Sequence, residues 1–206
     1  MQLKQTRSLW HRFVAIAAAA MLALGAAFTL GGCAGTSDED VIRDGVTKTL
    51  DAFKNPTKEN LTPYIGELDT DQVKQLEAYG LDVYEFFGHA FKNFDYQLGD
   101  IAVDGDKATV AVKVQNTDVS KVARGVIDKV QNDESIAAEV QKIAEKGDQA
   151  EVMKFVFSLI YEELDATTET ATTDVQLTLT KTNNEWRIDE DSFYTMVNGM
   201  YGGMEV

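Results

Sequence analysis

The chain has 206 residues, with 34 Asp and Glu against 19 Lys and Arg, a formal net charge of −15 and a single Cys. That length fits one domain plus an appendage, and one Cys excludes an internal disulfide and a cysteine-rich zinc site. The acid excess argues against a nucleic-acid partner, which needs a basic footprint, and the 44% apolar content is too high for a wholly disordered acidic chain.

The N-terminus opens with Lys4, Arg7 and Arg12 and no acid. An uncharged apolar run follows from Phe13 to Leu30, ending in Leu30-Gly31-Gly32-Cys33. A basic segment, an apolar segment and then small residues make a secretory signal, although the run approaches the length of a membrane span. Its last four residues decide between the two. Leu30-Gly31-Gly32-Cys33 resembles the lipobox of bacterial lipoproteins. The resemblance implies that the Cys33 thiol takes a diacylglyceryl group through a thioether, and that a dedicated peptidase cuts between Gly32 and Cys33. Leu30, Gly31 and Gly32 would be the peptidase recognition residues, the two glycines small enough to fit its site in extended form. Residues 1–32 then form the signal peptide, and the mature chain starts at Cys33. Removing three bases and no acid takes the formal charge from −15 to −18. Two acyl chains anchor stably where one would bind reversibly. The expected location is the cell membrane, lipid-anchored, on its extracytoplasmic side.

Residues 33–37 form the lipidated Cys and a short tether, and residues 38–206 a single domain. Six residues from Ala34 to Glu39 reach at most ~20 Å, which keeps the domain close to the bilayer. Ser37-Asp38-Glu39-Asp40 reads as a helix start, with a capping hydroxyl and acids at the positive end of the dipole. Ile42, Val46, Leu50 and Phe53 repeat at helical spacing until Asn55-Pro56. Short helices are predicted over Thr57–Ile65, from about Asp69-Thr70 through Val73 and Leu76 to Gly80, and over Leu81–Phe91. The period then changes. Tyr96, Leu98, Ile101 and Val103 form a strand whose alternation slips beside Gly99, the mark of a bulge. Asp104-Gly105-Asp106 is a tight turn, and Ala108, Val110, Val112 and Val114 alternate with polar residues to complete a hairpin.

Residues 117–166 are predicted to be helical, with a break at Gly147. Their apolar stripes are Val119/Val122/Val126/Val130, then Ile136/Val140/Ile143, then Val152, Phe155, Val156, Leu159, Ile160 and Leu164. Val175, Leu177 and Leu179 form a strand, Thr182-Asn183-Asn184-Glu185 turns it, and Trp186 and Ile188 lie on the return. A last helix starts at Asp191-Ser192, carries Phe193, Met196, Val197 and Met200, and ends at Gly202-Gly203. The predicted class is α+β: an antiparallel curved sheet of two hairpins packed on helices, with a large helical insertion between the hairpins.

A lipobox just before a long first helix, a Val-rich hairpin at Ala108–Val114, an Asn-rich turn into Trp186-Arg187-Ile188 and a terminal helix from Ser192-Phe193 form a recognisable series. It resembles small bacterial lipoproteins with a nuclear transport factor 2-like (cystatin-like) domain, over about residues 38–200. The 117–166 block departs from that pattern as an insertion. The resemblance implies a curved sheet wrapped around helices with room for a pocket, and it places no catalytic residue, because that superfamily holds both enzymes and binding domains.

Chemistry-bearing motifs are sparse. His89 is the only His of the mature chain and sits in Phe86-Phe87-Gly88-His89-Ala90-Phe91, where a structural role competes with a catalytic one. Asp104-Gly105-Asp106 lacks the further acids of a calcium loop, and Asp189-Glu190-Asp191 reads as a helix start, so no metal ligand is assigned. Phosphate-loop, dinucleotide, serine-elbow and zincin motifs are absent, and no cofactor is expected. Phe193, Tyr194, Met196, Met200, Tyr201 and Met204 read as packing rather than a pocket lining. The favoured function is a non-enzymatic lipoprotein domain binding a small ligand or an envelope protein. The alternatives are an envelope assembly factor that presents Val119/Val122/Val126, and an enzyme with an acidic pocket built around His89.

Overall fold

The computed structural model describes residues 37–65 and 71–202. The apolar run, Leu30, Gly31, Gly32, Cys33, the Asp69-Thr70 helix start, Gly203 and Met204 lie outside the described residues. The described residues form a mixed α+β structure of eight helices and one antiparallel sheet in the order β1-β2-β3-β4.

The first helix, α1 (Asp38–Lys54), starts as its sequence dictates. The Ser37 hydroxyl accepts from the Asp40 N–H at 3.1 Å, and Asp38, Glu39 and Asp40 fill the first turn. Its buried face carries Ile42, Val46, Leu50 and Phe53. Three short helices follow: α2 (Lys58–Ile65), α3 (Asp71–Ala78) and α4 (Val83–Ala90). An aromatic chain ties α1 to α4, with the Phe53 ring edge-on to Phe91 at 5.6 Å and to Phe94 at 6.5 Å.

β1 (Asp95–Asp104) pairs with β2 (Lys107–Asn116), and the register slips between Leu98 and Ile101, at the predicted bulge. Gly99 permits the close approach there, because a Cβ on it would stand 3.1 Å from the Ala111 Cβ. β3 (Ala171–Thr182) pairs with β2 along its length, setting Val110 opposite Leu177 and Val112 opposite Val175, and then with the short β4 (Glu185–Ile188). Asn183 and Asn184, at φ 53° and 66°, supply the two left-handed residues that a tight turn needs. Along β2 the buried positions are Ala108, Val110, Val112, Val114 and Asn116, strictly alternating with half-buried or exposed ones. One sheet face therefore meets the core and the other meets water. The closing helix α8 (Glu190–Met200) packs on β3 and β2, and α1 packs on β1.

The segment predicted as an insertion runs between β2 and β3 as α5 (Val119–Asn132), α6 (Glu134–Glu145) and α7 (Gln149–Ala166). Gly147 breaks it as expected, with φ +78°. A second break falls at Asp133, unmarked by any glycine. The Asp133 N–H donates to the Lys129 carbonyl at 2.8 Å while its carboxylate accepts from Ser135 and Ile136, so one residue closes α5 and opens α6. The last helix also starts earlier than predicted. Ser192 is no cap: its hydroxyl accepts from the Thr178 N–H at 3.0 Å and pairs with the Thr178 hydroxyl at 2.6 Å. Asp189 precedes α8 and accepts instead from the Thr180 hydroxyl at 2.9 Å. Strand β3 therefore takes two polar groups that a reading of local signals assigns to the helix.

A latch pins the start of α1 to the β3–β4 end of the sheet. Asp38 Oδ1 accepts from Lys181 Nζ at 2.7 Å and from Trp186 Nε1 at 3.0 Å, and the Lys181 ammonium lies 5.4 Å from the Trp186 ring centre. Lys181 and then Trp186 hold the Asp38 carboxyl below its ordinary pKa. A depressed carboxyl stabilises above its ordinary pKa, so the latch loosens as the pH falls through Asp38's lowered value.

Candidate functional site

Polar side chains meet at the end of the sheet opposite that latch, where β2 stops, β3 begins and two helices terminate. Asn116, the last residue of β2, is 1% exposed and faces inward in line with Val110, Val112 and Val114. Its amide nitrogen donates to the Ala90 carbonyl at 2.9 Å and to the Met200 carbonyl at 2.7 Å. Those carbonyls end α4 and α8, and helix C-termini leave such groups without intrahelical donors. Asn is one of the few side chains that present two N–H donors from one uncharged nitrogen. The arrangement leaves its own Oδ1 buried without a partner, as is the hydroxyl of the buried Tyr201 one residue beyond α8. Burial alone raises the Tyr201 pKa well above its ordinary value. Gly202 closes the corner at φ +85°, where a Cβ would lie 2.7 Å from the Asp118 Cα.

The seam continues outward. Asn93 donates to the Thr117 hydroxyl and the Thr167 carbonyl, each at 2.9 Å, joining the α4 exit to both ends of the α5–α7 block. Next to it His89 Nδ1 lies 3.1 Å from Asp165 Oδ1, and Lys92 Nζ reaches the Asp165 carbonyl at 3.0 Å. The His89 ring stacks on Tyr161 at 4.2 Å with a 12° interplanar angle. His89, and after it Lys92, hold the Asp165 carboxyl below its ordinary range. Burial, with Glu85 and Asp82 nearby, pushes the Tyr161 phenol up, and its hydroxyl is buried without a partner.

The His89–Asp165 pair has the form of a base oriented by an acid, the second and third members of a nucleophilic triad. Among the described residues no hydrogen bond joins His89 to a Ser, Thr or Cys side chain. The pair instead ties α4 to α7, alongside Phe86 against Phe157 at 6.2 Å. His89→Ala is expected to cost about 1 kcal/mol, the sum of a half-exposed hydrogen bond to Asp165 and a ring stack. His89→Phe keeps the stack and should recover most of that loss in urea unfolding. Equal losses for both would show that the Asp165 pair carries the brace.

Sequence reasoning singled out His89 but not its partner, which lies 76 residues away. It also passed over Asn116, although a signal was present: a polar residue in the inward phase of a Val-alternating strand. The other described candidates lie on α8 or just past its end. Phe193, Met196, Met200 and Tyr201 are core residues, while Tyr194 is half-buried. Among the described residues no group of three or more His, Cys, Asp or Glu is placed to hold a metal ion. No helix of the described residues is long and apolar enough to cross a membrane.

No family model matches the chain, and no curated protein does. Among solved structures, a lipoprotein candidate of Bacillus subtilis, YcdA, aligns over 79% of this chain at 17% identity with a TM-score of 0.42. The chain spans 59% of the length of that protein.

Proposed function

We propose that this chain is a lipid-anchored envelope protein, held by a diacylglyceryl group on Cys33 at the extracytoplasmic face of the membrane. In this reading its domain, of the nuclear transport factor 2-like kind, binds a small ligand or an envelope partner without catalysing a reaction. The carrying observation is the place of the only Cys. It follows a basic segment and an 18-residue apolar run, and it stands four residues before Ser37, which already caps the first helix. Nothing but a short tether then separates anchor from fold. The engagement of His89 in a brace between α4 and α7 supports a binding role over a hydrolytic one.

A role in envelope assembly draws support from one helix. Val119, Val126 and Val130 are buried and cannot serve as a docking stripe. However, α6 has no buried residue and keeps Ile136, Val140 and Ile143 half-exposed.

Sidedness tests the proposal. Protease added to intact protoplasts is expected to digest the membrane-bound domain while a cytoplasmic marker survives. Protection of the domain until the cells are lysed would overturn it.

A further inference from the structure

The first helix begins at one end of the sheet. The tether enters at Asp38, and Asp38 is held by Lys181 and Trp186 at the β3–β4 end of the sheet. The Lys181 N–H donates to the Asp106 carbonyl at 2.8 Å, so the β1–β2 turn lies at that same end. From there α1 runs the length of the sheet. Its last residue, Lys54, pairs with Asp95 at the start of β1 at 2.7 Å, and Tyr96 donates to Asp51 at 2.8 Å. Seventeen helical residues make a strut of ~25 Å. At its far end Asn116 pairs with Ala171, so α5 leaves and α7 returns there. Those helices pack chiefly on one another and on α4.

We propose that, in the anchored protein, the two turns at 104–107 and 182–185 face the lipid headgroups, while the Asn116 seam and the α5–α7 block point away from the bilayer. This rests on the lipid-anchor reading above. The five residues from Cys33 to Asp38 span at most ~18 Å, less than the strut, so the latch end stays nearest the membrane. That end carries Asp38, Glu39, Asp40, Asp104, Asp106 and Glu185 against Lys107, Lys181 and Arg187, an acid excess that anionic headgroups repel, so it is tethered near the surface without adhering to it. The helical end is then clear of the lipid.

Strand β3 provides the ruler for a test, since its twelve residues span ~40 Å end to end. The full chain is produced in a lipoprotein-processing bacterium, with Thr182→Cys or Thr170→Cys as the site for a maleimide donor dye. It is placed in vesicles of phosphatidylethanolamine and phosphatidylglycerol that carry a headgroup acceptor. Cys33 itself, once a thioether, does not react. Energy transfer from position 182 is expected to exceed that from position 170 by roughly twofold or more, given the ~40 Å between them. Equal or inverted transfer in vesicle-bound protein overturns the orientation and leaves the anchor standing. A Cys33 that reacts with maleimide in the unsubstituted chain overturns the anchor and the orientation with it, whether or not the protein floats with vesicles.

Discussion

Cys33→Ala is expected to yield a protein that keeps its first 32 residues. Alanine offers no sulfur for the thioether, and the peptidase implied by the lipobox resemblance acts on the lipidated Cys. The uncut chain should therefore run heavier than the unsubstituted protein on a denaturing gel. It should not become soluble. The retained run from Phe13 to Leu30 is 18 uncharged residues, ~27 Å as a helix, close to the ~30 Å hydrocarbon core. Both forms should pellet with membranes, one through acyl chains and one through the leader. Size, not fractionation, separates the two states. Equal mobility of the two proteins would contradict processing at Cys33.

Asn116→Ala is expected to cost more stability than truncation of any other polar side chain described here, about 2–3 kcal/mol. It strips the donor from two buried carbonyls, each costing about 1–3 kcal/mol when left unmet, and the loss of the unpaired Oδ1 gives part of that back. Asn116→Asp should be worse. It keeps the shape but turns an acceptor, and at neutral pH a charge, toward the Ala90 and Met200 carbonyls. Trp186 is 1% exposed, and it would be the only Trp of a chain cut before Cys33, since the other is Trp10. Its fluorescence is therefore a clean probe of urea unfolding. A loss under about 1 kcal/mol for the alanine variant would mean that the two helix ends are satisfied without Asn116.

Much of the fold is legible because its determinants are local. Ser37 caps α1 with its own hydroxyl, Gly99 marks the slip in β1, and Asn183 and Asn184 accept positive φ. The Val alternation of β2 fixes its inward face outright. Boundaries failed where a local signal was shared with a distant partner. Ser192 looks like a cap, but β3 claims its hydroxyl through Thr178. Asp133 carries no break signal of the glycine or proline kind, because one residue serves two helices. The site was less legible than the fold for the same reason. His89 with Asp165, and Asn116 with Ala90 and Met200, are pairings across many intervening residues, and no periodicity encodes them. The buried polar phase of Asn116 was readable, but its two acceptors were not.

The orientation and the processing of the precursor both depend on what Cys33 carries. The intact mass of the protein extracted from membranes of a lipoprotein-processing host measures this directly. The expected species begins at Cys33 and bears a diacylglyceryl group on its sulfur. A chain that retains residues 1–32, or one with an unmodified Cys33 thiol, would contradict the lipid anchor.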